Sequence, residues 1–100
     1  MINDINEIQK RIAEFAEKRA KIKNFELNEE ISLIHIMEEL GELSSQIFNK
    51  KARPEKFNYK NLKEEVCDVI LESMILSKLL NIDLSKELNN KIEELNKRKL

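Results

Sequence analysis

One hundred residues hold a single glycine, Gly41, and a single proline, Pro54. Turn-rich β architectures need several of each to reverse the chain, so an all-α fold is expected. The apolar spacing agrees. Ile5, Ile8, Ile12, Phe15 and Ala16 recur at three- and four-residue steps, which makes one helical stripe from about Asp4 to Lys21. Asn28 is a suitable N-cap for a second helix, with Glu29 and Glu30 in the first turn where the helix dipole favours acids. That helix should reach about Asn49. The stretch KKARPEKFN around Pro54 reads as a loop. Asn61 with Glu64 three residues on has the form of a capping box, which starts a third helix running to about Leu80. Asp83 then caps a fourth, ending near Lys99. Short connections imply antiparallel neighbours. The expectation is one four-helix domain over residues 1–100, without repeats or linkers.

A chain of this length builds a small core, so part of its apolar surface is expected to be buried against a second copy. The formal charge is −1, which lacks the basic excess of nucleic-acid-binding domains. Lone Cys67 excludes an internal disulfide and suits a reducing cytosol, where it would pack as a small apolar side chain. No apolar run has the length of a membrane span, and MINDINEIQKR lacks a signal-peptide core. These features give an expectation of a cytoplasmic protein with neither membrane nor nucleic-acid partners.

The acids carry the chemistry. On the second helix Leu33, Ile36, Leu40, Leu43 and Ile47 share one side; His35, Glu38 and Glu42 lie on the other, with Glu39 near the border. Alone, that is an ordinary solvated face. The third helix, VCDVILESMILSKLL, is apolar almost all round and is expected to be central. Glu65, Asp68 and Glu72 interrupt it at steps of three and four. Ionised carboxylates beside so much apolar surface need a cation, a hydrogen-bond network or a raised pKa. Glu39 with Glu42, and Glu65 with Asp68, are i,i+3 pairs that each project from one face. Two such helices packed antiparallel would direct four carboxylates to one point. Oxygen-only ligands suit Mg²⁺ or Mn²⁺ rather than zinc. A di-iron bundle would need two Glu-x-x-His motifs, and the one histidine, His35, has no Glu three residues before it.

Glu38-Glu39-Leu40-Gly41-Glu42 followed by Glu65-Val66-Cys67-Asp68 resembles the EExxE…ExxD signature of the MazG-like, all-α nucleoside triphosphate pyrophosphohydrolases. LLNIDLSKEL at 79–88 is similar to that family's turn into its last helix, and the likeness spans roughly residues 27–98. The resemblance implies a MazG-like bundle whose core is completed by dimerisation, with dimers often paired into tetramers. It implies Mg²⁺ held by Glu39, Glu42, Glu65 and Asp68, and water oriented or deprotonated by Glu38. The substrate would be a (deoxy)nucleoside triphosphate, cleaved to the monophosphate and pyrophosphate. Lys91 and Arg98 fall where relatives often carry a Lys and an Arg, and bordering an apolar stripe they could reach phosphate.

The chain departs from the family's pattern in three places. Ile75 and Leu95 stand where many relatives carry Asn, and Glu72 adds an acid that relatives lack. Glu72 could bind an additional metal ion, or pair with Lys78 or a residue across the dimer. The departures keep a second reading open: a helical dimer that binds nucleotide or partners without turnover. Hydrolysis of phosphoribosyl-ATP, as in a related family, is a third, with no distinguishing residue. His35 is a partly exposed polar residue or a phosphate contact, and Phe48 is expected in the core. The basic residues from Lys50 to Lys63 are a solvated loop, one or two of which could reach phosphate.

Overall fold

The structure, a computed structural model, describes residues 4–98. It is helical throughout, with no strand among the described residues. The helices are α1 (Ile5–Lys23), α2 (Glu29–Ala52), α3 (Tyr59–Leu79) and α4 (Leu84–Lys97). A 3-10 turn, Pro54–Lys56, separates α2 from α3. The segment expected as loop is thus shorter: α2 gains a turn from Lys50 to Ala52, and Pro54, which cannot continue an α-helix, opens the 3-10 turn instead. The expected end near Lys99 lies outside the described residues. No described helix is long and apolar enough to cross a membrane.

Side-chain caps set the helix starts. Asp4, Asn28 and Asp83 accept hydrogen bonds from the N–H groups of Asn6, Ile31 and Lys86, which satisfies donors that the first helical turn leaves free. The third helix corrects the expectation. Asn58, not Asn61, is its cap, and accepts from Asn61 N at 3.0 Å. The residue expected to cap is the residue being capped. Asparagine also replaces glycine where the chain reverses. Asn24 and Asn81 have φ of 55° and 58°, a left-handed geometry that Asn tolerates better than most residues. This is how a chain with one glycine turns its corners.

α3 is central, with α2 on one side and α1 on another. Partner numbers fall along α3 as they rise along its neighbours. Gln46 meets Asn58 and His35 meets Glu72 on the α2 side. On the α1 side Arg19 meets Glu72 and Gln9 meets Ser77. The core is narrow and built of small residues: Ala13, Ala16, Ala20 and Ser32 are buried with Met74, Ile75 and Ser77. Small side chains let helices approach closely. Gln9, also buried, donates to Ser77 Oγ at 2.9 Å and to the Ile82 carbonyl at 3.1 Å. Asn6 donates to Asp83 Oδ1 and accepts from Ser85 N. These bonds tie the start of α4 to α1, the helix against which α4 chiefly packs.

The apolar stripe of α2 is split: Ile36 and Leu43 are partly covered, and its other members face away from this core. Leu33, Leu40 and Ile47 are each about half exposed, and Phe48, expected inside, is 56 % exposed. Ser32, His35, Ile36, Glu39, Leu43 and Gln46 are the more covered residues. α2 therefore packs on α3 through a mixed face of polar and apolar residues and leaves Leu33, Leu40 and Ile47 outward. Val66 and Ile70 on α3, and Leu88, Ile92 and Leu95 on α4, are also exposed. So is Cys67, against the expectation that it packs. α2 runs along α3 from Asn58 to Glu72, whereas the α1 partners of α3, Glu72 and Ser77, lie in its C-terminal half, which leaves Val66, Cys67 and Ile70 uncovered. The accessible surface is 7889 Å², where a compact monomer of this mass exposes about 5900 Å². The radius of gyration is 16.0 Å, against about 13 Å for a compact 100-residue domain.

Candidate metal centre

The inward turn of α2 brings acids together. One carboxylate oxygen each from Glu39, Glu42 and Glu65 lies within 4.8 Å of the others. Two helices contribute: Glu39 and Glu42 are one turn apart on α2, and Glu65 approaches from α3. Glu39 and Glu65 are partly covered, while Glu42 is open to solvent. One oxygen of each covered acid, Glu39 Oε2 and Glu65 Oε2, is sealed from solvent and has no hydrogen-bond partner among the described residues. Buried polar atoms are normally paired, and a proton shared between the carboxyls or a bound cation would pair these two.

Desolvation is the main force holding the Glu39 carboxyl above its ordinary range, opposed by a hydrogen bond from Glu65 and aided by the charges of Glu42 and Asp68. The Glu65 carboxyl is pushed up to about 7, first by desolvation and then by the close approach of Glu39 and Glu42. Like charges that cannot separate retain protons until a cation replaces them. Oxygen ligands around one octahedral Mg²⁺ lie about 3–4 Å apart. All three donors are hard oxygens, which suits Mg²⁺ or Mn²⁺.

The other sequence-derived candidates fall in different places. Asp68 is outside the trio, though near enough to Glu39 to raise its pKa. Exposed Glu38 lines a cleft of about 210 Å³ together with Glu39. Glu72 lines it too, two turns along α3 from Glu65, and its Oε1 accepts from Arg19 Nη1 and Nη2 at 3.4 Å each. Its partner is thus a residue of α1 rather than Lys78. Lys91 and Arg98 are exposed on α4 and both pair with Glu94.

Sequence reasoning missed the basic wall of the cleft, Arg19 and Lys23, and its aromatic edge, Phe25. A signal was available. Arg19 continues the apolar stripe of α1, four residues after Phe15 and three after Ala16. A lone cation on an apolar face needs a buried acid, and Glu72 is the matching anomaly on α3. Phe25 also packs edge-on against the His35 ring, with centroids 5.9 Å apart. Comparison with protein-family models, curated proteins and solved structures found no match.

Proposed function

We propose that this protein is a cytoplasmic, Mg²⁺-dependent nucleotide pyrophosphohydrolase of MazG-like type, an antiparallel helical bundle that works as a homodimer or tetramer. One observation carries the reading: the convergence of Glu39, Glu42 and Glu65 from two helices, with two of their oxygens buried and unpartnered. With Asp68 beside Glu39, these residues would hold the metal. When bound, a divalent cation neutralises phosphate charge and polarises the phosphorus under attack. Glu38 shares the cleft with Glu39 and would orient a water and take its proton. The water oxygen bonds to phosphorus as the α–β bridge breaks, which releases the monophosphate and pyrophosphate. Lys91 and Arg98 are solvent-facing on α4 and would serve phosphate only from across an assembly. Arg19 takes one oxygen of Glu72, and its positive charge beside that carboxylate argues against a role as an additional metal ligand.

The assembly rests on area. The surface exceeds that of a compact monomer by about 2000 Å², within the range that obligate homodimers bury. The outward stripe Leu33–Leu40–Ile47 supplies an apolar patch for it.

The test is a product assay with ribo- and deoxynucleoside triphosphates and Mg²⁺ or Mn²⁺, with the Asp68→Ala protein as control. Monophosphate and pyrophosphate from the unmodified protein alone support the assignment. Equal turnover by the variant sinks it. A second reading, a binding module without turnover, draws on Ile75. Where relatives carry Asn, this chain has a core residue that is 1 % exposed and out of reach of any ligand. Nucleotide binding without product would favour that reading.

A further inference from the structure

Three buried polar atoms with no partner among the described residues meet at one cleft: Glu72 Oε2, His35 Nδ1 and Arg19 Nε. Glu72 is 8 % exposed, so its free oxygen is not a surface accident. Burying an unpaired carboxylate oxygen is costly, and Arg19 satisfies only its other oxygen. Glu72 Oε2 and His35 Nδ1 are 3.9 Å apart. That gap is too wide for a direct hydrogen bond. Both atoms are sealed from solvent in this conformation, so a third polar group in the cleft reaches them once a side chain turns. The cleft therefore offers an acceptor on Glu72 beside nitrogens on His35 and Arg19, and it lacks the group that would pair with them.

The position says what that group belongs to. His35 is one turn before Glu39, about 6 Å along the helix, and Glu72 is two turns after Glu65, about 10 Å. Glu38 and Glu39 line the same cleft, so it meets the acidic trio at Glu39. A nucleotide with its phosphates at the trio places its base, not its phosphates, at that range. A base edge also carries what the cleft lacks: adjacent N–H donors and ring or carbonyl acceptors. Phosphate fits poorly, because an acceptor-only group would face the free Glu72 oxygen.

Resting on the reading of the trio as a nucleotide's metal site, we propose that Glu72 and His35, with Arg19 positioning Glu72, read the Watson–Crick edge of the nucleobase and set the enzyme's base preference. Arg19 holds Oε1 and leaves Oε2 to accept from the base. A base that presents a carbonyl to Oε2 leaves that oxygen unpaired and is rejected. Sites of this kind discriminate through the group left unsatisfied.

The experiment uses nucleosides, which lack phosphate and need neither metal nor turnover. His35 is the one histidine of the chain, so its imidazole signals in NMR report the cleft without ambiguity. Adenosine, guanosine, cytidine and uridine are titrated into the metal-free protein. The expected result is a saturable His35 shift, with affinities spread by about tenfold or more across the four. Glu72→Gln should shrink that spread to about twofold. His35→Gln, which leaves the Arg19–Glu72 pair intact, should shrink it as well when followed through Phe25, and keeps the test decisive if Glu72→Gln fails to fold. No saturable shift, equal affinities, or a spread unchanged by the variants would overturn the inference. Selective nucleoside binding without triphosphate hydrolysis would remove the pyrophosphohydrolase reading and leave the base-reading cleft. Hydrolysis with no nucleoside response would do the reverse.

Discussion

Both terminal nitrogens of Arg19 lie 3.4 Å from a single oxygen of Glu72, joining α1 to α3 beside the acidic trio. The side chains are 23 % and 10 % exposed, so each charge depends on the other. Removing one partner of a buried pair strands the other. Glu72→Leu or Arg19→Met alone should destabilise the fold by about 2–4 kcal/mol. The double variant should lose clearly less than the sum of the two. Urea unfolding of all four proteins gives the coupling directly, and additive losses would mean that the pair contributes nothing.

The raised Glu65 pKa sets a pH dependence. Its unfolded value is 4.5 and its folded value about 7. Between them the folded state binds more protons than the unfolded one, so stability falls as pH rises. The metal-free protein should be most stable near pH 4.5 with respect to this group, and should lose stability progressively up to about pH 7. Glu65→Gln should flatten that slope. Mg²⁺ competes with the protons, so its stabilising effect should be absent at pH 5 and largest at pH 8. Denaturant midpoints at four pH values, with Mg²⁺ or a chelator, check both parts.

Much of this was legible in the sequence, for local reasons. Asn28 and Asp83 cap the helices they were expected to cap because capping is decided within four residues. The Asn61–Glu64 box misled because Asn58 offers the same side chain three residues earlier, and only the backbone decides between them. The i,i+3 spacing of Glu39 with Glu42 and of Glu65 with Asp68 was legible because it is intrinsic to a helix, whereas the absence of Asp68 from the trio depends on how α2 and α3 pack. The facing of α2 was not legible. Periodicity identifies an apolar stripe but not what covers it, and Leu33, Leu40 and Ile47 face away from the core of their own chain. Arg19 escaped notice for a related reason: its significance depends on Glu72, 53 positions away.

Glu38 and the acidic trio should separate kinetically. Glu38 is exposed and lines the cleft without belonging to the trio. As a general base, its replacement by Gln should lower kcat by about 10²-fold or more while leaving Mg²⁺ affinity unchanged. Glu42→Gln and Glu65→Gln should instead raise the Mg²⁺ concentration needed for half-maximal activity. Metal titrations of turnover, with calorimetric Mg²⁺ binding alongside, distinguish the two behaviours. A Glu38→Gln protein that loses metal binding would place Glu38 among the ligands.

The outward stripe of α2 makes the last prediction. Leu33, Leu40 and Ile47 recur every seven residues, and each is about half exposed. A stripe of that spacing suits packing against another helix, and α1, α3 and α4 leave it open. Sedimentation equilibrium should give twice the chain mass of 11.8 kDa, or four times if dimers pair. Leu40→Glu places a charge at the centre of the stripe and should shift the mass towards that of the monomer. Because the covered face of α2, at Ser32, Glu39 and Gln46, lies about 100° round the helix from the stripe, helicity by circular dichroism should survive at low temperature. A monomeric mass for the unmodified protein across the micromolar range would leave the excess surface without an occupant and would remove the dimer from the proposed assembly.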